Sequence, residues 1–283
     1  MQSIPVFYTP KLVADSKSFS PSSSKPGEVV SSWRRSGIPI DVQEPKPASK
    51  EDFYLAHGQR YVDKVLACEA DNGFGNRSAE IAASLPYATG SLIDAAKEAI
   101  KNRNTAVAPV AGFHHAHQHH GRGFCTFNGL IVTAQVLKRE GLAGRVGILD
   151  FDYHFGDGTH DTIRQLKLGE WIRHYSAGAH FHYPSHAQAF LEKVPELVWQ
   201  FNGCDIILYQ AGADAHKEDP LGGFLSTEEL YQRDRTVFEC AKAMGVPVAW
   251  DLAGGYQDEI RNVLDIHDNT LKACWEAYGD RVA

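Results

Sequence analysis

Residues 146–160 read VGILDFDYHFGDGTH, and this stretch decides the fold class. Its first half is a short apolar run, suited to a strand buried on both faces, and its second half turns abruptly to carboxylates, histidine and glycine. Working outward, short apolar runs recur at residues 4–8, 106–110, 171–175, 206–210 and 247–252. Helix-length stretches lie between them at 90–101, 127–139, 188–201 and 227–244, and Ser49 with Asp52 can cap a further helix leading into YLAHGQRYVDKVLAC. Strands alternating with helices imply an α/β fold, a mostly parallel sheet with helices on both faces. Residues 15–27, rich in Ser, Pro and Lys, read as a long loop, which with residues 73–77 is the expected rim of any pocket, and a second Pro/Lys-rich stretch at 41–52 ends at that helix cap. No repeat, heptad series or compositional break marks a boundary beyond about residue 50, so residues 1–283 are read as one domain.

Composition removes several classes of function. Twenty-eight Lys+Arg against thirty-five Asp+Glu give a net charge of -7, which draws the chain neither to nucleic acid nor to anionic membranes. Five cysteines without a C-x-x-C pair fit reduced thiols and a cytoplasmic location. The first residues lack the basic and apolar regions of a signal peptide, and no apolar run reaches the roughly 18 residues that span a bilayer. No membrane partner is expected.

In such a sheet, ligands bind beyond the carboxyl ends of the strands. Four of those ends are unusually polar: GFHHAHQHHGRGFC at 112–125, DFDYHFGDGTH at 150–160, AGADAHKEDP at 211–220 and DLAGGYQDE at 251–259. Period-two alternation puts Asp150, Asp152 and His154 on one face if the strand persists. Asp152 and His154 can then share a metal, with Asp214 from a neighbouring strand end as third ligand. Three protein ligands and an open position suit metal-assisted hydrolysis. His114 and His115 suit acid/base work, with Asp150 and Asp157 each holding one imidazole through its second nitrogen. Gly254 and Gly255 permit a sharp turn before Tyr256, whose phenol can donate to an oxyanion. Any one of these residues alone reads equally well as an ordinary loop residue. Their convergence argues otherwise, because buried carboxylates need a partner or a metal. His117, His119 and His120 are read as a solvated loop, His180, His182 and His186 as pocket wall, and Cys125 as a packed residue. No P-loop, dinucleotide fingerprint or G-x-S-x-G elbow occurs.

The segments GFHHA and GFCTFN, LDFDYHFGDGTHDTI, AGADAHKEDPLGGFLSTEE and LAGGY, in that order, resemble the histone deacetylase and acetylpolyamine amidohydrolase superfamily. A weaker likeness extends back through YLAHGQRYVDKVL. The resemblance implies an arginase-like open α/β fold with a parallel sheet of about eight strands. It implies one catalytic zinc ion held by Asp152, His154 and Asp214, with a structural potassium ion as a further candidate. It makes His115 the general base and acid, His114 its electrostatic partner, Tyr256 the donor to the substrate carbonyl, and Asp150 and Asp157 the supports of the histidines. Phe124, after Gly123, resembles an aromatic wall of the substrate channel.

This chain departs from the family at the rim. The N-terminal H-P-E-R-P loop is replaced by the Ser/Pro/Lys stretch, PVAGFHH stands where R-P-P-G-H-H is frequent, and HFHYPSHAQAF replaces a longer loop. Phe181 or Tyr183 is then expected to supply the second aromatic wall. The implied reaction is hydrolysis of an N-acetyl amide of a primary amine, on a small acetylated amine or polyamine before acetyl-lysine. Iron(II) suits the same ligands, and a homo-oligomer is left open. Two rivals differ in kind. A ureohydrolase of the same fold needs two manganese ions and a D-A-H-x-D segment absent at that strand. A non-catalytic acyl- or amine-binding protein has no use for two histidines and Tyr256 as a proton shuttle.

Overall fold

The computed structural model describes residues 2–279. In chain order its elements are β1 (Ile4–Phe7), α1 (Lys25–Trp33), β2 (Ile40–Gln43), α2 (Lys50–Tyr54), α3 (Gln59–Leu66), α4 (Ala79–Asn102), β3 (Thr105–Val107) and α5 (Gly129–Arg139). There follow β4 (Val146–Asp150), α6 (Asp157–Gln165), β5 (Ile172–Ser176), α7 (Ala187–Trp199), β6 (Ile206–Gln210), α8 (Thr227–Met244), β7 (Val248–Asp251) and α9 (Ile260–Tyr278). The strands form one sheet in the order β2-β1-β3-β7-β6-β4-β5, with every neighbouring pair parallel. β4, β6 and β7 are buried along their whole length, as strands covered on both faces must be. One face carries Val29 and Trp33 of α1, Phe190 of α7, Phe238 of α8 and Leu271 of α9; the other carries Val62 of α3, Leu92 of α4 and Leu130 of α5. None of the described helices is long and apolar enough to cross a membrane.

Several local expectations are corrected. The sheet has seven strands among the described residues rather than about eight. β2, not expected from the sequence, arises from IDVQ at the start of the Pro/Lys-rich stretch; it is a half-exposed edge strand whose pairing with β1 is invisible to local composition. The Ser-rich loop ends earlier than expected, because Pro26 in the first turn starts α1 and Trp33 anchors it in the core. Ser49 and Asp52 do form a capping box, but the helix they open is short, and the chain breaks at Gly58 before α3.

Arg233 of α8 is fully buried and reaches beneath the strand ends. Its Nη1 donates to the carbonyls of Phe151 at 3.0 Å and Gly212 at 2.8 Å, and its Nε donates to Asp234 at 2.8 Å. Asp234 also accepts from the Tyr209 hydroxyl and, at 2.6 Å, from that of Thr270. Arg233→Met would leave two carbonyls without their donor and the buried Asp234 carboxylate without its counter-charge, and should destabilise the fold by about 3–5 kcal/mol in urea unfolding. A change below about 1 kcal/mol would show that the network carries little of the stability.

Candidate active site

Asp150, Gln210 and Asp251 end three adjacent strands in register, Asp150 beside Gln210 and Gln210 beside Asp251, and all three are fully buried. Gln210 donates through Nε2 to Asp150 at 3.1 Å and accepts the Phe113 N–H at 3.0 Å, which ties the sheet to the histidine loop. Neither oxygen of Asp251 has a hydrogen-bond partner, and burial, reinforced by Asp150, raises its pKa well above the usual carboxylate range.

Just past this row, Asp152, His154 and Asp214 each present one ligand atom, all within 4.8 Å of one another. His154 Nδ1 lies 2.8 Å from Asp214 Oδ2 and 3.2 Å from Asp152 Oδ1. The backbone holds them there: the Asp152 N–H donates to Asp150 at 3.2 Å and the Tyr153 N–H to Asp214 at 3.1 Å. Gly254 sits at φ +60°, where an added Cβ would come within 2.5 Å of Asp214 Cγ. Burial pushes Asp214 up, and the neighbouring Asp152 adds to the rise. Burial opposes a charge on His154, yet its hydrogen bonds to the two carboxylates prevail and raise it to about 11. A proton thus sits where two buried carboxylates need a positive charge. Two hard oxygens and one imidazole suit a single divalent ion of the zinc or iron(II) kind.

The adjacent histidines are differently placed. His114 is buried, with Nδ1 2.9 Å from Asp150 Oδ2 and Nε2 3.6 Å from Asp152 Oδ1. Burial works against its charge, but Asp150 and Asp152 outweigh it and lift the group to about 9. His115 Nδ1 lies 2.7 Å from Asp157 Oδ1. Burial and then the charge of His114 hold His115 below the usual imidazole value. Two rings 4.0 Å apart are therefore poised so that one keeps its proton and the other is free to accept one. Gly123, at φ +53°, is required beside them, since a Cβ there would lie 2.5 Å from the His115 ring. His119 and His120 are exposed, as a solvated loop requires. His117 is not: it lies between Asp157 at 3.4 Å and Asp161 at 3.2 Å, because the two acids stand one turn apart on α6.

The Tyr256 N–H donates to Asp219 at 2.7 Å. Burial, then the charges of Asp214 and Asp152, holds its phenol well above the ordinary value, with the Ser22 hydroxyl opposing. Beneath the turn lies Lys25, fully buried, whose Nζ donates to the carbonyls of Leu252 at 2.8 Å and of Gly254, and meets His267 Nε2 at 3.0 Å. Burial lowers this lysine to about 8. Phe124 adopts φ +64°, a strained conformation for a bulky residue, and is held by its N–H to the Gly73 carbonyl at 3.0 Å. Its ring meets Tyr256 at 5.5 Å, Phe19 at 5.4 Å and Phe74 at 5.7 Å. A cavity of about 70 Å3 adjoins Phe124, Phe74, Gly112 and Ser22.

The structure does not bring Phe181 to this wall. Its ring packs into the core at 4.9 Å from Phe190 and stacks on Phe224, so the expectation of a channel residue there is corrected. Tyr183 is exposed, with its ring 5.2 Å from His186. Lys25, as a buried cation, and Asp251 take part in the site region but escape a reading of motifs, whereas Phe19 and Phe74 lie in residues 15–27 and 73–77, the two segments expected from the sequence to form the rim. A polar residue closing an apolar run was the available signal for Gln210 and Asp251; for Lys25 there was none.

Comparison with known proteins identifies a family and a fold. The family model "Histone deacetylase domain" matches residues 22–186 and 177–272. An uncharacterized protein of Picosynechococcus sp. is 28% identical over 265 residues, covering 85% of this chain and 87% of that one. Acetylpolyamine amidohydrolase 2 of Pseudomonas aeruginosa is 29% identical over 175 residues, covering 52% of this chain and 49% of its own length. The crystal structure of the HDA15 HD domain superposes with a TM-score of 0.78 at 19% identity, covering 99% of this chain and 92% of that one, a likeness of fold.

The charge state of the cluster generates a prediction. His154 must give up its proton to coordinate, so zinc(II) binding should release about one proton or more and tighten about tenfold per pH unit between about pH 6 and 8. Calorimetry in buffers of different ionisation enthalpy reads both, and an affinity independent of pH counts against these ligands.

Proposed function

We propose that this chain, which belongs to the histone deacetylase family, hydrolyses the N-acetyl amide of a small primary amine and releases acetate, with residues 1–283 acting as one catalytic domain. The observation that carries the reading is the pair of histidine–carboxylate contacts, His114 with Asp150 and His115 with Asp157, opening beside the Asp152, His154 and Asp214 cluster. A single zinc ion held by that cluster would supply Lewis acidity toward water and the amide carbonyl.

The residues of the chain do the rest. Asp157 occupies Nδ1 of His115 and so leaves Nε2 to take the proton of the attacking water. His114, kept cationic by Asp150 and Asp152, keeps His115 neutral and ready to accept. The Tyr256 phenol, which stays protonated far above neutral pH, donates to the oxyanion as the carbonyl carbon becomes tetrahedral. His115 then returns its proton to the nitrogen, which leaves as the amine. Both oxyanion stabilisation and protonation of the leaving group are needed, because an amide is a slow substrate with a poor leaving group. Relatives of both kinds, an acetylpolyamine amidohydrolase and several histone deacetylases, match the chain; the altered N-terminal loop and the shortened HFHYPSHAQAF loop, which give an extended peptide little to grip, support an acetylated small amine ahead of acetyl-lysine in a protein. Reduced thiols, with all five cysteines unpaired, support a cytoplasmic setting.

Chelation should abolish turnover, and one equivalent of zinc(II) should restore it; a requirement for two manganese ions would replace this reading with a ureohydrolase. Tyr256→Phe should lower kcat by about 100-fold with metal content unchanged. His115→Ala should be at least as harmful while still binding the ion, and wild-type turnover in either variant would remove the role assigned to that side chain.

A further inference from the structure

Residues 15–24, DSKSFSPSSS, fold into a loop closed at its base by the Ala14 N–H donating to the Ser23 carbonyl at 3.0 Å. The loop satisfies its polar groups internally. Ser16 and Ser18 hydroxyls meet at 2.9 Å, the Ser20 hydroxyl donates to that of Ser22 at 2.8 Å, and the N–H groups of Ser20 and Ser22 turn to Ser18 and Ser20. What it projects is Phe19, 74% exposed, with its ring edge-on to Phe124 at an interplanar angle of 87°. A lone exposed phenylalanine is ordinary. This one is fixed over the wall of the candidate site by a chain of contacts. Asn76 donates to the Ser16 carbonyl at 2.9 Å, the Asp15 N–H reaches Glu80 at 3.3 Å, and the Gly73 carbonyl holds Phe124.

We infer that Phe19 and Phe74 extend the wall begun by Phe124 and Tyr256, so that the N-terminal segment sets which amine enters, and that the preferred occupant is an acylated monoamine with an unbranched apolar stem. The inference rests on the deacetylase reading and narrows its substrate. The rim offers ring faces, whereas its amide groups are already spent: Asn76 Oδ1 accepts from Ser78 and Asn72, and Asn72 Oδ1 accepts from Phe74. A peptide backbone finds little to bind there. Arg122, 59% exposed at its side chain, pairs with Asp157 at 3.1 Å, so that carboxylate is already answered and gives a second ammonium on the stem no free counter-charge.

The test uses the zinc-loaded full chain and straight-chain N-acetyl monoamines from butyl to octyl, with an N-acetyl diamine of matched length. For the wild type, KM should fall about two- to fourfold per methylene along the stem, and the terminal ammonium should raise it about tenfold. Phe19→Ser should flatten that slope, raising KM for the longest stems about tenfold at unchanged kcat and unchanged melting temperature, while Phe19→Trp preserves it. An unaltered slope in Phe19→Ser, a loss confined to kcat, or a preference for the diamine overturns the inference and leaves the deacetylase assignment standing. Absence of wild-type turnover on every member overturns both.

Discussion

A guanidinium with no access to solvent joins the site to the fold. The carbonyls that Arg233 binds belong to Phe151 and Gly212, one residue before Asp152 and two before Asp214. Two buried carboxylates aimed at one point repel, and side-chain packing alone resists that poorly, since each chain end can swing away. Fixing the backbone immediately upstream of both removes that freedom. The cost of burying Arg233 is offset by Asp234, itself satisfied by Tyr209 and Thr270 from β6 and α9. Breaking the network therefore reaches both strand ends at once.

Charge balance explains much of the remaining architecture. Asp150, Asp152, Asp214 and Asp251 lie buried within one region of the sheet. So dense a group of acids is tolerable only where positive charge or protonation answers it. His114 answers Asp150 and Asp152, His154 or a bound ion answers the ligand pair, and Asp251, lacking any partner, is driven toward its neutral acid by burial. Lys25, on the far side of the Tyr256 turn, stays partly charged because the same carboxylates oppose its desolvation. The raised phenol of Tyr256 belongs to this balance too, so the carboxylates that could hold a cation also keep this hydroxyl protonated.

The residues that the site brings together were legible in the sequence because they stand at strand ends. An apolar run followed by D-x-D-x-H is local information, but β4 ends at Asp150, so strand alternation does not reach Asp152 and His154; the turn after the strand, held by the Asp152 N–H to Asp150 and the Tyr153 N–H to Asp214, brings them to Asp214. What resisted reading depends on tertiary position. Lys25 lies in a stretch whose composition describes a loop, and only the docking of α1 beneath the Gly254 turn makes it a buried cation. Phe181 was misplaced because nothing local says whether a phenylalanine after β5 turns to a channel or to Phe190 and Phe224. β2 and α9 escaped for a similar reason: an edge strand and a helix with polar flanks become recognisable through what they pack against.

The strand order carries a consequence for how the chain comes into being. β7, the last in chain order of the described strands, lies between β3 and β6, and it supplies the hydrogen-bonded link between the β2-β1-β3 group and the β6-β4-β5 group. Until it emerges from the ribosome, two half-sheets present unpaired inner edges, a state prone to mispairing and to capture by other chains. His114 and His115 are made with the first group and Asp152, His154 and Asp214 with the second, so the nascent polypeptide holds the two parts of the candidate site on separate halves. Closure by β7 joins them in the same event that delivers Tyr256.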